Sequence, residues 1–368
     1  MRTTTTRKAT HFLLAVATAA LALSACDSKS DSPPADEKEQ AEQSFEIDQK
    51  PEWTAPATGK RYCPQYFENT IIDGGASDIT VRDAATGKTR WSHKGTVTCP
   101  LVTTEAVYVG KPDGEALSLD PLTGKTKRSL DVTAFDPDGI SPVETGAGVH
   151  FEFGGDLYTV DKALGQEVWS FEEETDMWIE QISSHALTVV LTTQNGNVKA
   201  LSAADGKLLW TYATPSHAVI DGDITITDEA VYFGSRDGSA YALDLATGKQ
   251  LWSKKLGGHG ATWTPEVSAN LVITADAEYI HGLDKKTGKT KWRHYAPDHG
   301  SVRAAAGQVF YADPEADEVT VLNAATGEFM TSVSPAPGAY RLAVGPTHLY
   351  VWTTSSIQAH MITKRASA

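Results

Sequence analysis

The residues best able to do chemistry are three cysteines, eleven histidines and a few short acidic runs. A thiol can serve as nucleophile, metal ligand, disulfide partner or acylation site, and its neighbours decide which. Cys26 follows an apolar run, Phe12 to Leu23, which itself follows Arg2, Arg7 and Lys8; this is where an exported leader is cut and modified. Cys63 and Cys99 stand in matching contexts, Tyr62-Cys63-Pro64 and Thr98-Cys99-Pro100, with no Cys or His beside them at zinc spacing. The histidines, among them His259, His294 and His299, are scattered and read as loop residues or hydrogen-bonded strand residues. Asp136-Pro137-Asp138-Gly139 and Asp221-Gly222-Asp223 look superficially like calcium loops. They lack the spacing and distal Glu of an EF-hand, and read as turns. No Gly-x-Ser-x-Gly elbow, His-Glu-x-x-His pair or phosphate-cradling loop is present, so the sequence nominates no catalytic residue, no metal ligand and no cofactor.

Leu23-Ser24-Ala25-Cys26 resembles the bacterial lipobox. The resemblance implies that residues 1–25 are a lipoprotein signal peptide. Cys26 would then become the new N-terminus, carrying palmitate-type acyl chains that hold the protein on the outer face of the cytoplasmic membrane. The alternatives are an ordinary secretory signal or a spanning helix, but the run is shorter than the roughly 20 residues a spanning helix needs. Burial of acyl chains at about 0.8 kcal/mol per methylene makes a multiply acylated Cys a stable anchor. Residues 26–44, rich in Asp, Glu, Ser, Lys, Pro and Gln without apolar periodicity, read as an acidic disordered tether, leaving 45–368 as the folded body. The net charge of −15 becomes three units more negative when the leader's three cations are removed. Such a surface repels phosphate backbones, excludes nucleic acid as a partner and favours a soluble monomer.

The body is dominated by a repeat that aligns on Gly87, Gly124, Gly165, Gly206, Gly248, Gly288 and Gly327, at spacings of 37, 41, 41, 42, 40 and 39 residues. Four residues before each glycine stands Asp83, Asp120, Asp161, Ser202, Asp244, Asp284 or Asn323. Four residues after it stands Trp91, Arg128, Trp169, Trp210, Trp252, Trp292 or Thr331. Asp or Asn opens a turn by bonding its own backbone, and Gly supplies the positive φ of a tight connection. The Trp then begins a strand, where it can pack on a neighbour while its indole N–H finds a carbonyl. Upstream lie β-rich phrases such as Ala230-Val-Tyr-Phe-Gly234 and Ser239-Ala-Tyr-Ala-Leu243, so each copy supplies about four short strands.

Ala242-Leu-Asp-Leu-Ala-Thr-Gly-Lys-Gln-Leu-Trp252 and Leu283-Asp-Lys-Lys-Thr-Gly-Lys-Thr-Lys-Trp292 resemble the pyrroloquinoline-quinone-type (WD40-like) propeller repeat. Trp53 precedes Asp83 by 30 residues, much as Trp91 precedes Asp120, so it behaves as the Trp of a copy whose earlier strands are missing. Three strand-like phrases after Thr331, Arg341 to Val344, His348 to Trp352 and Ser356 to Met361, supply them, with His360 where the Asp would stand. The expected fold is therefore an all-β, eight-bladed β-propeller whose last blade is closed by the N-terminal strand; seven blades is the alternative. Cys63 and Cys99 fall in the same slot of adjacent blades, where other copies carry Ser141-Pro142 and Thr264-Pro265. A Cys63–Cys99 disulfide is expected, against two separate buried thiols.

The layout of lipobox, acidic tether and eight-bladed propeller resembles the propeller lipoproteins of the outer-membrane β-barrel assembly machinery. That resemblance implies a non-catalytic scaffold binding an envelope or secreted protein. The alternatives are a solute-binding sensor using the axial funnel, for which the loops offer no convergent polar cluster, and a quinone-dependent dehydrogenase. The larger dehydrogenases carry two adjoining cysteines beside the cofactor; here no two cysteines adjoin and each copy is near minimal length.

Overall fold

In the computed structural model each copy of the repeat folds into one antiparallel sheet; the structure describes residues 44–57, 63–74, 78–95, 99–111, 115–131, 141–153, 155–172, 178–257, 264–313, 315–334 and 338–365. Blade one contains Gln65–Phe67, Thr70–Gly74, Asp78–Asp83 and Thr89–Lys94. Six further four-stranded sheets begin at Leu101, Val143, Ile179, Ile220, Glu266 and Val302. The second and third strands of a blade are apolar on both faces because a neighbouring blade covers each. Ala230–Ser235 is buried at every position. Outer strands alternate instead: in Gln250–Lys255 and Thr290–Tyr295 only Trp252 and Trp292 are fully buried.

The eighth blade is assembled from both chain ends. Arg341–Val344, His348–Trp352 and Ser356–Arg365 pair in order, and the free edge of the last strand is taken by Trp53–Pro56 and then Ser44–Ile47. Trp53 lies opposite Ala359, as Trp252 lies opposite Ala242 and Trp292 opposite Gly282. This register corrects one expectation: since Trp91 faces Val81, two residues before Asp83, the Asp position of blade eight falls on Met361 and not on His360. The buried His360 ring instead bonds the Asp48 carbonyl through Nδ1 at 2.8 Å, tying the entering segment to the blade.

Successive blades are joined by a recurring contact. The indole of Trp53, Trp91, Trp169, Trp210, Trp252 or Trp292 lies on the turn of the next blade, and its Nε1 donates to the carbonyl of Ala84, Pro121, Ala203, Leu245, Lys285 or Ala324 at 2.8–2.9 Å. The turn is closed by the glycine N–H donating to the Asp carbonyl, as Gly248 does to Asp244 at 2.9 Å. Gly248 sits at φ +68, and a Cβ there would lie 2.6 Å from the Trp210 ring. Glycine is required twice over, for its backbone and for the close approach of the indole.

Blade three departs from this pattern. Gly165 lacks the positive φ expected of it; Leu164 takes the left-handed conformation at φ +49 and is 2% exposed, packed with Ala106 and Tyr108. Blade two offers Arg128 where a Trp would stand, and a buried leucine occupies part of the space an indole would fill.

Removing one indole should show the weight of the contact. Trp210→Ala is expected to lower unfolding free energy in urea by about 3–5 kcal/mol with little change in m. Gly248→Ala, strained and clashing, should cost more than Gly95→Ala, where φ is +84 but the space is open. Equal losses at the two glycines would mean the indole contact adds nothing.

Candidate functional site in the axial channel

The first strand of each blade lines the axis of the ring. These strands carry none of the repeat motif, so their side chains are free to differ between blades. Gln65, Tyr66, Asp223, Glu266 and Arg303 come together around a channel cavity of about 480 Å3. Arg303 Nη1 stands 3.4 Å from Glu266 Oε1 and donates to the Val302 carbonyl at 2.9 Å. Burial pushes the Glu266 carboxyl up, Arg303 pulls it back and Asp223 adds to the rise. Arg341 is lowered by burial and by the like charge of Arg303, while Asp223 opposes the change. Two guanidinium groups and two carboxylates thus share a partly desolvated site.

A bulge brings Asp223 there. Register is broken between Asp221 and Thr225, Gly222 adopts φ +72, and the Asp223 N–H donates to Thr264 Oγ1 of the next blade at 3.0 Å. Asp221-Gly222-Asp223 is therefore part of a bulged strand, Ile220–Ile226, and not the turn expected from sequence. The polar cluster lies on the first strands and not in the loops, for which none is expected. A signal for the cluster was present in the spacing: Glu266, Arg303 and Arg341 recur at 37 and 38 residues, close to the repeat period.

Cys63 and Cys99 are joined as a disulfide with Cα atoms 5.5 Å apart, at the inner ends of blades one and two, where Gln65 Nε2 also donates to the Pro100 carbonyl at 3.0 Å. The repeat's Trp, Gly and Asp residues lie in turns and blade contacts. His294 Nε2 is 3.2 Å from the Tyr311 hydroxyl, and His299 Nε2 is 2.9 Å from the Asp276 carbonyl. Cys26, His259 and Asp136 to Gly139 lie outside the described residues. Among the described residues, no three His, Cys, Asp or Glu side chains converge as metal ligands, and no helix is long and apolar enough to cross a membrane.

The cysteines do not match the pattern of the quinone-dependent dehydrogenases. The cysteines bridge two blades across 36 residues where the larger dehydrogenases carry an adjoining pair, and the channel holds an Arg303–Glu266 ion pair.

Fold and site together define an eight-bladed propeller of quinone-type repeats, with repeat residues devoted to blade contacts and a charged axial channel. The chain belongs to the family described as outer membrane protein assembly factor BamB, which matches residues 49–172, 153–296 and 194–343. Similar solved structures include BamB from Moraxella catarrhalis, at 16% identity and TM-score 0.69, covering 85% of this chain and 99% of that one. The computationally designed protein Ika8 aligns at 17% identity and TM-score 0.69, over 83% and 98% of the two chains. Quinohemoprotein alcohol dehydrogenase from Comamonas testosteroni aligns at 14% identity and TM-score 0.69, over 88% of this chain and 77% of its own. At these identities the likeness is one of fold. No curated protein matches the chain in sequence.

Two measurements check this description. Maleimide labelling of denatured, unreduced protein lacking the leader segment and Cys26 should find no free thiol, and two after reduction; two before reduction would exclude the disulfide. The second concerns pH. Burial holds His150 down at about 4, and burial also lowers His281, His294 and His360. Each binds its proton more readily when unfolded, so stability should be full above about pH 6.5 and fall as pH drops from there towards 4. His150→Gln should flatten that slope in thermal melts; an unchanged slope would remove His150 from the account.

Proposed function

We propose that the chain is a membrane-anchored, extracytoplasmic, non-catalytic scaffold of the cell envelope, held by acyl chains on Cys26 and binding a partner protein at the rim of blades three to five. The exposed rim carries the reading. In the outer strands the residue before the Trp position is charged in blades one, two and six, as Arg90, Lys127 and Lys291, but apolar in blades three, four and five and, as the half-buried Met330, in blade seven. In blades three to five Val168, Leu209 and Leu251 are 44%, 52% and 52% exposed, and Leu208 and Leu187 of blade four, 51% and 66% exposed, widen the patch.

Isolated exposed leucines are ordinary, but a run across three neighbouring blades is a docking surface. It flanks outer strands paired on one side only among the described residues, so their backbone groups can accept an added strand. Blade four lies across the ring from blade eight, where the chain enters the fold, which leaves the rim clear of the anchor. The family's description as an assembly factor supports the same role. A second reading, a solute-binding sensor, draws on the Glu266–Arg303 pair in the channel. It expects small charged solutes to raise the Tm of the native chain but not of Arg303→Ala.

Photo-crosslinking residues placed at 209, 251 and 291 in intact cells test the scaffold. Position 209 or 251 should give a discrete adduct and position 291 none; reproducible absence of adducts at both rim positions would overturn it. Cys26→Ala should move the protein from the membrane fraction to the soluble extracytoplasmic fraction, and retention in the membrane would refute the lipid anchor.

A further inference from the structure

Six of the ring's contacts seat an indole, and the contact between blades two and three does not. Arg128 stands at the Trp position, exposed and with no hydrogen-bond partner among the described residues. The carbonyl that an indole N–H would take is Lys162 O, and Tyr108 OH donates to it at 2.9 Å. Leu164 fills the inner part of the seat. The outer part stays open as a cleft of about 600 Å3, against about 330 Å3 at the corresponding place between blades one and two, where Trp91 is present.

The floor of the cleft is Ala106, Tyr108 and Ala163; Lys127, Arg128 and Lys162 stand around it together with Glu105 and Ser118, and the Glu144 and Asp161 carboxylates also lie near Tyr108. Two of these cations are engaged: Lys127 Nζ donates to the Glu105 carbonyl at 3.1 Å, and Lys162 pairs with Glu144. Arg128 is the one left with a free planar fork, the geometry that meets a carboxylate with two parallel hydrogen bonds. A volume of this size lies within the range of small-molecule sites, roughly 300–1,000 Å3.

We propose that this seat binds a small planar aromatic carboxylate. The ring lies over Tyr108 and Ala163, in the place an indole occupies between other blades, and the carboxylate meets Arg128. The proposal is independent of the rim of blades three to five. It involves no covalent step, and the site is separate from the axial channel.

Calorimetric titration of the purified chain, lacking only the leader segment, with indole-3-acetate tests it. Saturable binding at one site is expected, with indole alone and acetate alone each at least tenfold weaker. Arg128→Glu should weaken indole-3-acetate at least tenfold with the Tm unchanged, and Arg128→Trp should abolish binding by placing the chain's own indole in the cleft. No saturable signal up to about 10 mM would overturn the proposal. So would binding that survives both substitutions, since it would come from elsewhere on the ring. Should Arg128→Trp fail to fold, the charge reversal alone decides.

Discussion

The ring depends on one contact, an indole laid across the turn glycine of the next blade with its N–H on that turn's carbonyl. Each partner constrains the other: the Trp approaches so closely that a Cβ at Gly248 would overlap its ring, and the left-handed turn is free of strain only where the residue has no Cβ. Because donor and acceptor lie on different blades, the contact sets the spacing between sheets as well as holding them together. Trp burial of this kind supplies a large apolar area and satisfies the one polar group that would otherwise be stranded.

Where the indole is missing, other groups take over. Between blades two and three Tyr108 reaches the vacant carbonyl and Leu164 fills part of the gap, at the cost of a left-handed non-glycine residue. Between blades seven and eight, where Thr331 stands, the entering N-terminal segment does the work. Ile47 packs with Phe310, Val321 and Val333, and Gln49 Nε2 donates to the Ser332 carbonyl at 2.8 Å. The two ends of the chain thus close the ring at its least standard blade, and the Ser356–Arg365 strand, which would otherwise expose its outer edge, is paired along its length.

Most of this architecture was legible in the residues because turns and inter-blade contacts recur. A Trp, a Gly and an Asp at fixed offsets in copy after copy declare a turn and a strand, and the orphaned Trp53 declares the closure. What was not legible lies where the repeat is silent. Glu266, Arg303 and Arg341 recur near the repeat period but on first strands that share no motif, and they meet Asp223 only because the ring brings distant copies to one axis. Leu164 could not be told from a turn residue next to Gly165, since its conformation answers a substitution, Arg128 for Trp, one blade away. The position of Met361 against His360 depended on a register that the nearest turn glycine, absent in blade eight, would otherwise have announced.

Function follows the same division. Repeat residues build the ring, and the two proposed uses fall on residues that break the repeat, the apolar rim and the charged channel. Both uses rest on a ring that is closed, and hydrogen exchange of the intact chain tests closure most directly. The amide of Ala55, which like that of Ala57 faces the last strand, should exchange only with global unfolding, as slowly as those of 349–351 on the inner strand of the same blade. Exchange there orders of magnitude faster than in the inner strands would mean that the N-terminal strand is not holding the ring shut.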